Sequence, residues 1–307
     1  MKRVIVTVLG LSPQVLTESL YALFMEGKMV NEVHVITTTT GRDLVHAGLL
    51  ASGQGQFFKF LEEYDIPNGV IDFPPDNIHV LKDENGMELD DIVSPSDNEI
   101  LLRKCLELGW KLTLDPDQAV YFMIAGGRKT MSACLALAAQ FYGRSHDRIY
   151  HVLVSPEFEE CRDFYFPPRN PRLIATRDRK GNICYRNTKD AEIWLVQLPF
   201  VSVRDRLLDE DLDEPKTPEE LMASLIRDNP PKLVIDLRAG RMSFRGREAD
   251  LPATQLALLA FFTMMKKECG CTKEQECRRC FLSWEEIEGD QQYLDKIKDL
   301  YKHSCVD

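Results

Sequence analysis

The chain has 307 residues, 44% of them hydrophobic, which is enough apolar material for a sizeable core in one large or two ordinary domains. A formal net charge of −11 excludes a protein that coats DNA non-specifically, because that needs a broad basic surface; it leaves room for a compact anion held in a local basic pocket. No apolar run approaches the roughly 20 residues of a membrane span. Met1-Lys2-Arg3 leads straight into a strand pattern with no cleavage-site signature, so a cytoplasmic protein with no membrane partner is expected. The nine cysteines are scattered through apolar segments, Cys105, Cys134, Cys161 and Cys184 among them. They read as reduced core thiols rather than a disulfide framework.

In chain order, residues 2–9 have the composition of a buried strand. Gly10-Leu11-Ser12-Pro13 follows, and 14–25 is an amphipathic helix that Ser12 is expected to cap, with Pro13 at its first position. A second strand over 31–37 runs into the threonines Thr37 to Thr40, then Gly41-Arg42-Asp43. The hydroxyls of Thr38 and Thr39 suit a base edge or a ribose, and equally suit simple strand propensity. Arg42 is a weaker phosphate candidate beside a solvated-surface reading. Residues 44–64 are broadly helical, interrupted by Gly53 and Gly55. The stretch 65–94 is irregular, with Pro67, Pro74, Pro75 and a turn signal at Asp83-Glu84-Asn85-Gly86, as in an inserted hairpin or exposed flap. A helix over 97–114, capped by Ser96 or Asp97, leads to the central strand.

That strand opens the most informative segment, 120–139. An apolar β-branched start runs through Ala125-Gly126-Gly127-Arg128-Lys129-Thr130-Met131 into an alanine-rich helix. Gly126 and Gly127 allow positive φ and close backbone approach, Thr130 offers a cap or first-turn hydroxyl, and the helix N-terminus adds partial positive charge. Arg128 and Lys129 then make an anion seat suited to phosphate, or else two cations that merely face water. In a parallel sheet this turn and the Ser12 turn converge at the carboxyl ends of their strands. Neither is the GxGxxG fingerprint or a P-loop.

Residues 148–155 form the next strand, with His151 expected as a satisfied core histidine. The proline- and arginine-rich stretch 156–186 reads as a long loop or paired ribbon, and 192–198 as a last strand. The alternation predicts an α/β fold, a Rossmann-like mostly parallel sheet with helices on both faces, over residues 1–203. An acidic, proline-terminated linker is expected at 204–216. Residues 217–307 form a smaller α+β domain: a capped helix over 217–228, a hairpin over 232–244 around Ala239-Gly240, and helices over 251–267 and 283–300. Its pattern is winged-helix-like, a fold that binds DNA or serves dimerisation; the near-balanced charge favours dimerisation. Cys269, Cys271, Cys277 and Cys280 form a CxC and CxxC set with two readings, a structural zinc site or ordinary buried thiols. Four thiolates would leave no open position for metal catalysis.

The two glycine turns together, residues 10–18 and 125–131, resemble those of the CARF (CRISPR-associated Rossmann fold) family over about the first 200 residues, with the standalone ring nucleases of type III CRISPR systems the nearest resemblance. That resemblance implies a homodimer in which two pockets form one site for cyclic oligoadenylate, usually cyclic tetra-adenylate. It implies metal-independent cleavage by a ribose 2′-hydroxyl, with no cofactor required. By the same carry-over Ser12, Arg128 and Lys129 are the catalytic set. Gly10, Leu11, Gln14, Gly126, Gly127, Thr130 and Met131 of the two turns, with Thr38 and Thr39 from the strand-end threonines, are expected to contribute to ligand binding. The rival expectation is a non-catalytic cyclic-oligoadenylate sensor that regulates transcription or a partner through its C-terminal domain. The ribonuclease motif found in other CARF proteins, an arginine four to six residues before a histidine, is absent: after position 151 the histidine is His303, far beyond Arg279.

Overall fold

The computed structural model describes residues 1–51, 54–159, 161–177, 181–207, 212–225, 233–244, 247–269, 280 and 282–304. Two compact units divide the chain, Met1–Ile226 and Arg227–Asp307. No helix among the described residues is long and apolar enough to cross a membrane.

The first unit is built on a six-stranded sheet. Its elements run β1 (Lys2–Val8), α1 (Gln14–Met25), β2 (Glu32–Thr37), α2 (Thr39–Val45), α3 (Gln56–Glu63), β3 (Ile78–Val80), α4 (Pro95–Leu112), β4 (Gln118–Met123), α5 (Lys129–Tyr142) and β5 (Arg148–Val154). Then come α6 (Pro156–Glu159), a β6 (Leu173–Arg177) and β7 (Ile183–Asn187) ribbon, β8 (Ile193–Leu198) and α7 (Pro218–Leu225). The strand order is β3-β2-β1-β4-β5-β8; all pairs are parallel except β5 with β8. The fold is therefore a mixed α/β, broadly Rossmann-like one, with small antiparallel sheets beside the main one. β1 and β4 are wholly or mostly buried, which is why both read as continuous apolar runs rather than alternating ones. On one face Ile5, Val33, Val35 and Tyr121 pack with Leu16, Leu20, Phe57 and Phe60 of α1 and α3. On the other, Val4, Val6, Val120 and Phe122 pack with Leu101, Leu106, Leu135 and Ala138 of α4 and α5.

The chain leaves β1 toward β2 and β3, then crosses back to β4 and β5. Crossovers therefore depart in opposite directions from the carboxyl ends of β1 and β4, opening a crevice between them. The turn before β5 is anchored beside β4: buried Asp147 accepts from the Val120 amide at 2.7 Å, the Arg144 amide at 2.7 Å and Arg144 Nε at 2.9 Å.

Several local expectations are corrected. The helix after β2 starts at Thr39 rather than near residue 44, because the Thr38 hydroxyl caps it, accepting from the Gly41 amide at 3.4 Å. Gly41 is needed there: a Cβ would fall 2.0 Å from Thr37 Oγ1. α4 starts at Pro95 with Ser94 as cap, not Ser96 or Asp97. The Asp97 amide donates to Ser94 Oγ at 3.1 Å while Asp97 Oδ2 accepts from the Ser94 amide at 2.8 Å, a reciprocal capping box with proline at N1. His151 is half-buried on β5 rather than a core residue. Within the stretch expected as a linker, Leu207 is buried and Leu212 O accepts from the Trp110 indole at 2.7 Å.

The second unit holds a three-stranded antiparallel sheet of β9 (Val234–Asp236), β10 (Arg241–Phe244) and β11 (Arg247–Asp250), with α8 (Ala253–Cys269), α9 (Trp284–Glu288) and α10 (Gln291–Ser304). Gly240 has φ +70° at the β9–β10 turn. Leu256, Ala257, Ala260 and Phe261 are its buried helix face, and Phe261 meets the Tyr293 ring edge-on at 5.7 Å.

Candidate functional site

Where β1 and β4 end, their two glycine turns meet backbone to backbone. A Cβ on Gly10 would fall 2.9 Å from Gly127 Cα, so residue 10 must be glycine for the turns to touch. Gly126 and Gly127 have φ of +108° and +67°, the left-handed side that L side chains rarely adopt. A Cβ on Gly126 would also stand 3.0 Å from Val8 O. Ser132 ties α5 back to the strand end, its hydroxyl donating to Ile124 O at 2.6 Å. Gly10→Ala should cost about 1–3 kcal/mol, because the clash is with backbone that cannot rotate away. A thermal melt indistinguishable from that of the natural chain would show that the turns do not bear on each other.

Between these turns and α2 lies a cavity of about 330 Å³, lined by Leu9, Gly10, Leu11, Ser12, Thr38, Thr40, Asp90, Asp91, Ile92, Gly127, Arg128 and Met131. Clefts of about 590 Å³ beside Tyr165 and Arg169 and about 420 Å³ beside His79 are larger, but neither borders the Gly10 or the Gly126-Gly127 turn. Of the residues expected at a site, the structure gathers Gly10, Leu11, Ser12, Thr38, Gly127, Arg128 and Met131 here. Gln14 is buried in the first turn of α1, Gly126 supports the turn from behind, and Thr39, Lys129 and Thr130 lie beside the cavity without lining it.

Each position has a local cause. α1 begins at Gln14 with Pro13 in the cap position and no side-chain cap; the Ser12 carbonyl, not its hydroxyl, receives the Val15 amide at 3.4 Å. This corrects the expected capping role of Ser12. Among the described residues its hydroxyl has no partner, which leaves it available to a ligand. At the second turn the cap position belongs to Arg128, not Thr130, and the first helical residue is Lys129. The Arg128 amide points at Met131 Sδ, 3.4 Å away.

Five cavity residues were not foreseen: Leu9, Thr40, Asp90, Asp91 and Ile92. The last three come from a hairpin whose Lys82 and Glu88 form an antiparallel bridge. Its turn is organised by Asp83, whose Oδ1 accepts from the Asn85 and Met87 amides at 2.9 and 2.8 Å, with Gly86 at φ +80°. The flap folds onto the strand ends. The Thr39 amide donates to Leu89 O at 2.9 Å, the Thr39 hydroxyl donates to Asp90, and Arg42 donates to Glu88. Arg128 grips Asp91 with both arms, Nε to Oδ1 at 2.9 Å and Nη2 to Oδ2. The guanidinium holds the Asp91 carboxyl below the usual carboxylate range.

Of the four cysteines considered for zinc, Cys269 is half-buried and Cys280 buried, while Cys271 and Cys277 lie outside the described residues. Among the described residues no three His, Cys, Asp or Glu side chains gather to hold a metal.

No curated protein matches the chain significantly. A solved structure of a type III CRISPR defence DNA nuclease activated by cyclic oligoadenylate aligns with 12% identity over 98% of this chain and 40% of its own, at a TM-score of 0.28. The present chain thus spans well under half of that protein, and the score is too low to establish a common fold. A family model does match, over residues 12–231, and its description is CRISPR-associated protein NE0113. That span begins at Ser12, just after β1, and takes in the other five strands of the main sheet and the whole Arg128 turn. The chain therefore belongs to the CRISPR-associated NE0113 family.

Proposed function

We propose that the chain is a ring nuclease of CRISPR defence, which binds cyclic oligoadenylate, cyclic tetra-adenylate foremost, and opens the ring so that type III signalling ends. One observation carries this reading: the Ser12 turn and the Arg128 turn share one cavity at the point where the strand order reverses, the place where an open α/β sheet takes nucleotides. Ser12 offers an unpartnered hydroxyl for a ribose or phosphate oxygen. The Lys129 and Thr130 amides, which have no partner among the described residues, together with the Arg128 and Lys129 side chains suit phosphate charge.

The reaction needs little from the protein beyond placement. A ribose 2′-hydroxyl attacks the adjacent phosphorus, the bond from phosphorus to O5′ breaks, and the products are a 2′,3′-cyclic phosphate and a 5′-hydroxyl. The proton lost by the 2′-oxygen is balanced by the one gained by the leaving oxygen. Because nucleophile and phosphate belong to one ligand, orientation supplies much of the rate, and fixed donors stabilise the charge growing on the phosphate oxygens. Among the described residues no histidine lines the cavity, so a modest turnover is expected.

At about 330 Å³ the cavity lies at the low end of the roughly 300–1,000 Å³ typical of small-ligand sites. It suits one part of a cyclic oligonucleotide, and a two-fold homodimer would present a second, equivalent cavity to the rest. The winged-helix-like second unit then serves assembly rather than chemistry, and a zinc ion on its cysteines would support that unit alone.

The test is incubation with cyclic tetra- and hexa-adenylate in EDTA, followed by chromatography. Linear products ending in 2′,3′-cyclic phosphate are expected. Tight binding without products would instead make the protein a sensor, and neither binding nor products would end the reading.

A further inference from the structure

The cavity as it stands is a poor anion site. It contains one guanidinium and two carboxylates, and the guanidinium is already held by one of them. We infer that the hairpin 82–92 is a latch that fills the anion seat in the unliganded protein, with Asp91 occupying on Arg128 the place a ligand phosphate would take. This deepens the proposed function and rests on it.

The geometry is that of a substitute ligand. A carboxylate bound to both arms of an arginine has the same planar two-point match that a phosphate offers. The latch also engages the strand ends at Thr39, through Asp90, and at Arg42, through Glu88. Acidic groups of the flap thus meet the cation of the cavity and the polar groups of the α2 start beside it. Within the hairpin, Asp83 keeps the turn at its tip folded by itself, so releasing Asp90 and Asp91 at its base need not unfold the turn.

Exposure sets the strength. The Arg128 and Asp91 side chains are 53% and 52% exposed, and ion pairs that open to water are weak and screened by salt. The latch is therefore displaceable. A single phosphate gains only what Asp91 gives up. A ligand that reaches Arg128, the α5 amides and Ser12 together gains several contacts for the loss of one pair. Asp91 accordingly discriminates against simple anions and sets the affinity of the right one.

The experiment compares the natural chain with Asp91→Asn and Asp90→Asn, and has two arms. Amide hydrogen exchange on unliganded protein reads the latch directly through the Thr39 amide, which bonds Leu89 O of the flap, while the Leu89 amide, bonded to Leu81 O within the hairpin, is the internal control. Asp91→Asn should speed exchange at Thr39. Titration with cyclic tetra-adenylate, and with inorganic pyrophosphate as a simple-anion probe, reads the competition. Asp91→Asn should bind cyclic tetra-adenylate up to about fivefold more tightly, the ceiling for an exposed pair, and should narrow the preference for it over pyrophosphate. Added cyclic tetra-adenylate should speed flap exchange in the natural chain. Unchanged exchange in Asp91→Asn overturns the latch whatever binds. Weaker binding by Asp91→Asn overturns it too, making Asp91 a direct ligand contact. Faster exchange with no binding of cyclic tetra-adenylate to any variant would keep the latch and defeat the proposed function instead.

Discussion

Above pH 8, Glu18→Gln should be the more stable protein, by up to about 5 kcal/mol, and the advantage should vanish as the pH falls toward 4.5. Glu18 lies on the buried face of α1, 4% exposed, and among the described residues no hydrogen bond or ion pair satisfies its carboxyl. Burial, and secondarily the like charge of Glu159, push its pKa from 4.5 up to about 8. In the unfolded chain the carboxyl loses its proton near 4.5; in the folded chain it keeps it until about 8. Between those values the unfolded state binds fewer protons, so each rise in pH favours unfolding, and the loss is complete above the folded pKa. Glutamine mimics the protonated acid and escapes this. At roughly 2–4 °C per kcal/mol for a unit of this size, the melting temperatures should separate by about 10 °C or more at alkaline pH. Glu159→Gln should recover a smaller part, since its charge is the lesser cause. Melting curves of Glu18→Gln and the natural chain that run parallel from pH 5 to pH 9 would refute the assignment. α1 also carries the Ser12 turn on its N-terminal end, so ionising Glu18 loosens the helix that aims Ser12. A cleavage rate that declines above pH 8 in the natural chain, and not in Glu18→Gln, is the functional counterpart.

The parallel sheet was legible because its strands are buried on both sides. β1 and β4 appear as nearly continuous apolar runs and β2 as a short valine- and isoleucine-rich one around His34, each followed by a glycine or threonine turn and a helix. β3 showed only as a short strand-like run before the Asp83 turn, and β11 left no trace. β3 is three residues long, too short to show a period, and is held by register with β2. β11, Arg247–Asp250, is exposed at every position, so no hydrophobic pattern marks it; its pairing with β10 depends on backbone bonds that composition does not encode.

The site divided along the same line. Gly10, Gly126 and Gly127 stood out because a turn that approaches another backbone permits no Cβ, a local demand that sequence displays. The two turns converge through topology, which a strand-helix alternation already implies. Asp90 and Asp91 escaped because they reach the cavity through a tertiary contact: the flap was recognisable at Asp83-Glu84-Asn85-Gly86, but nothing local says onto what it folds. Ser12 shows the reverse error. A serine before proline and a helix has the pattern of a cap, yet with Pro13 in the cap position the hydroxyl lines the cavity with no partner among the described residues.

Under the proposed ring-nuclease function, replacing Lys129 by alanine should lower ring cleavage about 100-fold or more while weakening ring binding far less. Lys129 is the first residue of α5, exposed and beside the cavity rather than in its wall. Its long side chain is a mobile point charge able to follow the phosphate as charge develops, and an interaction that grows in the transition state raises turnover more than affinity. Arg128 is a fixed fork already committed to Asp91; Arg128→Ala should therefore act mainly on affinity. Ser12→Ala should slow cleavage through loss of ribose or phosphate placement, with little change in stability because its hydroxyl caps nothing. Lys129→Gln separates charge from reach: it keeps most of the length and a hydrogen-bond donor, and should be nearly as slow as Lys129→Ala if charge is what matters. Single-turnover rates and equilibrium binding of cyclic tetra-adenylate on the same preparations decide between these roles. A Lys129→Ala protein that cleaves at the natural rate but binds weakly would make Lys129 a tether, and would leave the chemistry to Ser12, Arg128 and the amides of α5.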